Sequence, residues 1–187
     1  MKKSIITIAG AVGSGKSTTA KRVAELLAYK HFSSGDLFRA IARDRGLSVE
    51  ALNLTAEEQT EIDHQVDELL KKMGRDDNHL VIDSRLAFHW MPQSFKVYLS
   101  LNPDTAAERI FHHLQTEGRV SQTASSVEEV RQNIATRVES EKKRYKNLYA
   151  VDVTDTTPFN LVIDTKENTL DRVVETIISS YQDWKKN

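Results

Sequence analysis

The residues with the clearest chemical signature lie near the start of the chain, directly after a short apolar segment. In order they are Gly10, Ala11, Val12, Gly13, Ser14, Gly15, Lys16 and Ser17, which match the pattern G-x-x-x-x-G-K-[ST] in full. Glycines allow a tight turn in which successive backbone N–H groups point at phosphate oxygens, and a helix that begins there adds the positive end of its dipole. The pattern therefore predicts a loop that binds the phosphates of a nucleotide.

Three side chains of this segment have separate predicted roles. Lys16 would bring a mobile positive charge to the β- and γ-phosphates of ATP, and the Ser17 hydroxyl would bind Mg²⁺. Thr18 follows in the same helical turn and is assigned to ATP binding with them. An ordinary glycine-rich turn is the alternative. The β-branched segment 4–9 before the motif and the helical spacing after it are, however, the context that phosphate binding requires.

Hydroxyl and charged side chains also follow the next two predicted strands. They are Ser34, Asp36 and Arg39 after the second strand, and Asp83 and Arg85 at the end of the third. Ser34 or Asp36 could simply cap the next helix, and Arg85 could form a surface salt bridge. Because open α/β sheets bind ligands at the carboxyl edge, we expect Asp83 to hold a water bound to Mg²⁺ and Arg85 to bind an acceptor's phosphate. Arg39 lies near the positive end of its helix, where such a phosphate would explain its charge.

A long helix is predicted to begin at Ser126 and to place charges along an apolar stripe. Arg137, Glu141 and Arg144 follow at i, i+4 and i+7, on nearly the same face as that stripe. A salt-bridge ladder on a solvated face is the alternative. Charges that point inward need partners, and a triphosphate and an acceptor between the arginines would supply them. We therefore favour a binding site.

Composition narrows the class of protein. The chain has 187 residues, 26 Lys and Arg against 27 Asp and Glu, and no cysteine. The even charge gives no bulk attraction to nucleic acid or membrane, so neither is expected as a partner, and disulfides and thiolate chemistry are excluded. The apolar start is interrupted too early by glycines and a lysine for a signal peptide, so a cytoplasmic protein is expected. A monomer is compatible with the sequence. The six histidines show no metal-ligand spacing.

The order of elements predicts the fold. Apolar, β-branched segments at 4–9, 30–33, 80–83, 95–99 and 161–164 alternate with amphipathic helices. This alternation predicts a three-layer α/β/α domain over residues 1–187, of the P-loop NTPase class, with a five-stranded parallel sheet. A helical acceptor-binding segment is expected at about 36–78, where Thr55 and Glu58 suggest a capping box. A small lid is expected at about 115–125.

A phosphate-binding loop alone does not choose a reaction. The Asn-Lys-x-Asp guanine-binding motif of GTPase switches is absent, and motor ATPases are normally longer. The placed arginines favour phosphoryl transfer to a small acceptor. Another nucleotide or metabolite kinase of the same architecture, or a slow ATP-hydrolysing regulatory switch, remains an alternative at this point.

Together these segments resemble cytidylate kinase, in its short archaeal-type form. The resemblance covers nearly the whole chain and rests on the glycine-rich motif, on 33–39 and 83–85, on the Arg137, Glu141 and Arg144 spacing, and on 161–165. It implies phosphorylation of CMP or dCMP by ATP with Mg²⁺. The acceptor and the transferring phosphoryl group would then be bound by Ser34, Arg39, Arg85, Arg137, Glu141 and Arg144. Lys16, Arg137, Arg144 and a lid arginine would offset charge on the migrating group, without a strong general base.

The chain departs from the family pattern in three places. Ser84 stands where the family usually has Gly, which would crowd the acceptor pocket slightly. Nucleotide kinases often have a second arginine four residues after the position of Arg109, and here that residue is His113. This leaves Arg119 as the predicted lid arginine. The larger pyrimidine-binding insertion of bacterial cytidylate kinases is absent, so the helical stretch 47–73 must contact the base, with Asp63 as the candidate residue.

Overall fold

A computed structural model describes residues 3–48, 51, 52, 55, 60–117 and 124–186. Its helices and strands, numbered in chain order, are β1 (Ile5–Gly10), α1 (Lys16–Leu27), β2 (Lys30–Ser33), α2 (Ser34–Asp44), α3 (Glu61–Asp76), β3 (Leu80–Asp83), α4 (Ala87–Trp90), β4 (Phe95–Ser100), α5 (Pro103–Glu117), α6 (Val127–Tyr149), β5 (Leu161–Asp164) and α7 (Leu170–Lys186).

The five strands form one parallel sheet in the order β2-β3-β1-β4-β5. The predicted five-stranded parallel sheet is therefore confirmed. Strand β1 lies at its centre and all six of its residues are buried, as its continuous apolar sequence requires. Ile8 of β1 pairs in register with Asp83 of β3, which brings the ends of both strands to one carboxyl edge.

Helices cover both faces of the sheet, and this confirms the three-layer arrangement. One face packs Ile6, Ile8 and Val97 against helices α1 and α7. The other packs Ile5 and Ile82 against α3 and α4. Helices α5 and α6 pack on each other through a separate apolar cluster beyond the end of β4. Within the part of the chain that the structure describes, no helix is long and apolar enough to cross a membrane.

Four local predictions have mixed outcomes. Ser126 caps α6 as expected, because its hydroxyl accepts from the Glu129 amide at 3.1 Å. The alternative that Ser34 or Asp36 caps α2 is wrong: Ser33, one residue earlier than Ser34, accepts from the Asp36 amide. The predicted capping box of Thr55 and Glu58 does not begin α3, because that helix starts at Glu61. The Thr55 hydroxyl donates to the Ala51 carbonyl, and Glu58 lies outside the described residues. Of the expected lid, residues 115–117 form the last turn of α5 and 118–123 are not described.

Candidate active site

The glycine-rich segment between β1 and α1, here called the phosphate loop (residues 10–17), turns through backbone angles that favour glycine. Gly10, Gly13 and Gly15 have φ of 145°, 74° and 79°. A Cβ at Gly10 would lie 2.2 Å from the carbonyl oxygen of Leu99, so no side chain fits there. The loop is held to the sheet by the Ala11 amide, which donates to that same carbonyl at 2.9 Å. This is the strand–turn–helix context that phosphate binding requires.

Lys16 begins α1 and folds back over the loop. Its ammonium donates to the carbonyls of Gly10 at 3.0 Å and Ala11 at 2.7 Å. Burial, and then the positive charge of Arg85, lower the pKa of Lys16 to about 7. A cation confined in this way gains from an anionic ligand, which would relieve both effects. Thr18, in the first turn of the same helix, is exposed.

Hydroxyl and carboxylate oxygens meet next to the phosphate loop. Ser17 donates to the buried Asp83 carboxylate, which also accepts from Ser33 at 3.1 Å. Ser34 donates to the Asp83 backbone carbonyl at 3.4 Å. Hard oxygen donors of this kind are what Mg²⁺ prefers, so the two residues predicted to hold the ion are adjacent and chemically suited to it.

Glu141 of α6 lies between two arginines and is 3% exposed. Its carboxylate pairs with Arg85 Nε at 2.5 Å and Arg137 Nε at 2.9 Å. Burial acts to raise the pKa of Glu141, but the charges of Arg85 and Arg137 outweigh it and hold that pKa below its ordinary value. The alternative of a solvated salt-bridge ladder is therefore wrong for this residue, and Arg85 does not form a surface pair.

The third charged residue of α6 has a different partner. Arg144 Nε pairs with Asp63 of α3 at 2.8 Å, and both side chains are buried. The Arg144 guanidinium also lies 5.0 Å from the centre of the Tyr145 ring. Burial raises the pKa of Asp63 to about 6, although the charge of Arg144 opposes that shift. We call Asp63, Arg85, Arg137, Glu141 and Arg144 the charged cluster.

The predicted residues on α2 lie further toward solvent. Arg39 pairs with Asp36 at 2.6 Å, with side chains 39% and 55% exposed. Arg119 lies outside the described residues. Within the described ranges, no group of three or more His, Asp or Glu side chains is arranged to hold a metal ion.

One buried acid of this region was not predicted from the sequence. Asp67 of α3 accepts from the indole N–H of Trp90 at 2.9 Å and from the hydroxyl of Tyr149. Burial raises the pKa of Asp67, and the two hydrogen bonds oppose that shift. The available signal was its position four residues after Asp63, on the same helix face as the apolar Leu70.

This chain is similar in sequence or fold to several known proteins. Residues 9–131 match a family model described as an AAA domain. A cytidylate kinase of Halobacterium salinarum is 35% identical over 94% of this chain and 88% of its own length, and one of Archaeoglobus fulgidus is 34% identical over 95% and 94%. The shikimate kinase of Acinetobacter baumannii shares the fold, with a TM-score of 0.59, 14% identity, and coverage of 99% and 96%.

Proposed function

The chain belongs to the cytidylate kinase family, and we propose that it transfers the γ-phosphoryl group of ATP to CMP or dCMP, releasing ADP and the nucleoside diphosphate. The observation that supports this most strongly is the placement of Arg85 and Arg137 on one buried carboxylate, within the electrostatic reach of Lys16. Two guanidinium groups held beside a phosphate-binding loop suit an acceptor phosphate that must approach a triphosphate.

On the donor side, residues Gly10 to Thr18 bind the phosphates of ATP. The backbone amides of the loop and the start of α1 point toward the anion, and Lys16 exchanges its loop carbonyls for phosphate oxygens. Ser17 and Asp83 would hold Mg²⁺, which would supply positive charge to the phosphates of ATP.

On the acceptor side, Arg39 and Arg85 fix the phosphate of the nucleoside monophosphate. Ser34 and Asp36, at the start of α2, border the same edge as Asp83 and contact the acceptor there. Glu141 orients Arg85, because their pairing fixes the guanidinium plane before the substrate arrives. Glu141 also contacts the acceptor. Asp63 of α3 contacts the base.

During transfer, Lys16, Arg137, Arg144 and Arg119 offset the charge on the migrating group. The phosphate oxygen of the acceptor is already nucleophilic, so positioning and electrostatics supply the acceleration without a strong general base. Closure of the segment 115–125, which contains Arg119, excludes water from the site. The enzyme acts in the cytoplasm on small molecules.

A panel of acceptors tests the proposal. ADP release should be measured with CMP, dCMP, UMP, AMP and GMP, with shikimate as a fold-matched metabolite, and with ATP alone. We expect CMP and dCMP to give the highest kcat/KM. Best activity on a purine or on the metabolite would refute the pyrimidine assignment. ATP turnover that no acceptor increases would instead indicate a regulatory ATPase.

A further inference from the structure

Asp67 is a buried acid on α3 whose carboxylate accepts hydrogen bonds from two other helices. It is 3% exposed. One oxygen accepts from Trp90 Nε1 of α4 at 2.9 Å, and the other accepts from the Tyr149 hydroxyl at the end of α6. The Trp90 and Tyr149 rings meet edge to face at 5.3 Å, and the Lys71 ammonium lies 4.3 Å from the centre of the Trp90 ring.

The three helices that meet at Asp67 each position part of the charged cluster. Helix α3 presents Asp63 one turn before Asp67. Helix α4 follows directly on Arg85, and α6 presents Arg137, Glu141 and Arg144. Asp67 therefore connects the three chain segments that carry the charged cluster.

Apolar packing does not explain this connection. Among the described residues, the apolar clusters of α3 include the sheet, α4 and α2, whereas that of α6 includes α5. Helices α3 and α6 instead meet through two polar pairs, Asp63 with Arg144 and Asp67 with Tyr149. Because hydrogen bonds have narrower geometry than apolar contacts, these pairs fix the spacing of the helices more closely than packing alone.

We propose that Asp67 is a positioning residue that sets the place of α3 against α6, and thereby the affinity of the site for the acceptor nucleotide. The proposal rests on the proposed function, since it assigns the charged cluster to the acceptor. The phosphate loop takes its position from β1 and α1, which Asp67 does not contact in the bonds described above. Substitution of Asp67 should therefore raise the KM for the acceptor and leave the KM for ATP unchanged.

The test compares Michaelis constants for the two substrates in Asp67→Asn, Tyr149→Phe and a matched control, Asp76→Asn. Asp76 is an exposed acid in the last turn of α3, more than two turns after Asp67. Asparagine can accept from only one of the two donors, and phenylalanine keeps the Tyr149 ring while removing its hydroxyl. We expect the KM for CMP to rise about tenfold in both Asp67→Asn and Tyr149→Phe, with the KM for ATP within about twofold of wild type. Neither constant should change in the control.

Two results would overturn the proposal. One is a lowered melting temperature in Asp67→Asn or Tyr149→Phe with an unchanged KM for CMP, which would mean that Asp67 contributes to stability only. The other is an equal rise in both Michaelis constants. If Asp67→Asn does not fold, Tyr149→Phe decides. Failure of the proposed function is separate, because wild type would then prefer another acceptor, and the same comparison would be made with that acceptor.

Discussion

The phosphate loop takes its shape from the backbone, whereas the charged cluster takes its shape from side chains. In the loop, three glycines with positive φ and the Leu99 carbonyl define the turn, and neighbouring residues in the chain supply nearly every group. In the cluster, Arg85 follows β3 and pairs with Glu141 of α6, and Asp63 of α3 pairs with Arg144 of α6. The two regions nevertheless meet at one edge of the sheet.

Because of this difference, loss of a charged side chain in the phosphate loop should reduce activity without reducing stability, whereas in the charged cluster it should reduce both. A phosphate ligand in the loop is met by amides that the fold has already placed, so the Lys16 charge serves the ligand and does little for the fold. The arginines of the cluster, by contrast, are paired with buried carboxylates before any substrate binds. Removing one partner leaves a buried charge uncompensated, which destabilises the protein as well as the site.

The largest expected effect is that of Lys16→Ala. Phosphoryl transfer should fall by about a thousandfold or more, because the β- and γ-phosphates lose their mobile cation. The melting temperature of the unliganded variant should stay level or rise, since the lowered pKa of Lys16 shows that the fold disfavours its charge. Calorimetry and ADP-release assays measure both effects, with the exposed Lys21→Ala on the same helix as control. A large loss of stability would contradict the separation described above.

Glu141→Gln should affect both quantities. We expect kcat/KM for CMP to fall about a hundredfold, because Arg85 and Arg137 lose the carboxylate that orients them. We also expect the free energy of unfolding to drop by about 2 kcal/mol, because two partly buried guanidinium groups are left without their counter-charge. Glu139→Gln, on the exposed side of the same helix, is the matched control. Unchanged kinetics in Glu141→Gln would remove the charged cluster from the site.

Two glycine substitutions test whether the loop is defined by the backbone. A Cβ at Gly10 would meet the Leu99 carbonyl at 2.2 Å, whereas one at Gly15 would have nothing within 4 Å. Gly15→Ala should cost about 1 kcal/mol of stability from its positive φ alone, and Gly10→Ala about 3 kcal/mol. Urea unfolding of both variants gives the comparison. Equal destabilisation would mean that strand contact does not limit the loop.

The smallest expected effect is that of Arg39→Gln. The exposed pair with Asp36 contributes less than about 0.5 kcal/mol, so the melting temperature should barely change. The KM for CMP should still rise about fivefold if Arg39 binds the acceptor phosphate. Arg43→Gln, one turn later on α2 and also exposed, is the control. A KM equal to that of the control would leave binding of the acceptor phosphate to Arg85 alone.

Features that depend on neighbouring residues were predictable from the sequence. The glycine-rich motif, the five strands and the Ser126 cap all follow from spacing within a few residues, and the structure confirms each of them. The α2 cap was missed by one residue, because Ser33 and Ser34 are chemically equivalent as caps and only the strand end distinguishes them.

Pairings between distant residues were not predictable in the same way. The spacing of Arg137, Glu141 and Arg144 suggested one unit, and the structure pairs Glu141 with Arg137 but Arg144 with Asp63. Helical spacing places side chains on one face and does not say which element that face meets. Asp67 was missed for this reason, since its partners Trp90 and Tyr149 are 23 and 82 residues away.

The confinement of the Lys16 ammonium links nucleotide binding to the proton balance of the solution. Burial and Arg85 lower the pKa of Lys16 to about 7, and the negative charge of a triphosphate would return it toward its ordinary value. At pH 7 to 8 the protein should therefore take up a fraction of a proton from the buffer for each ATP bound, rising toward one as pH increases through this range. The observed binding enthalpy would then vary with the ionisation enthalpy of the buffer, and this dependence should vanish in Lys16→Ala.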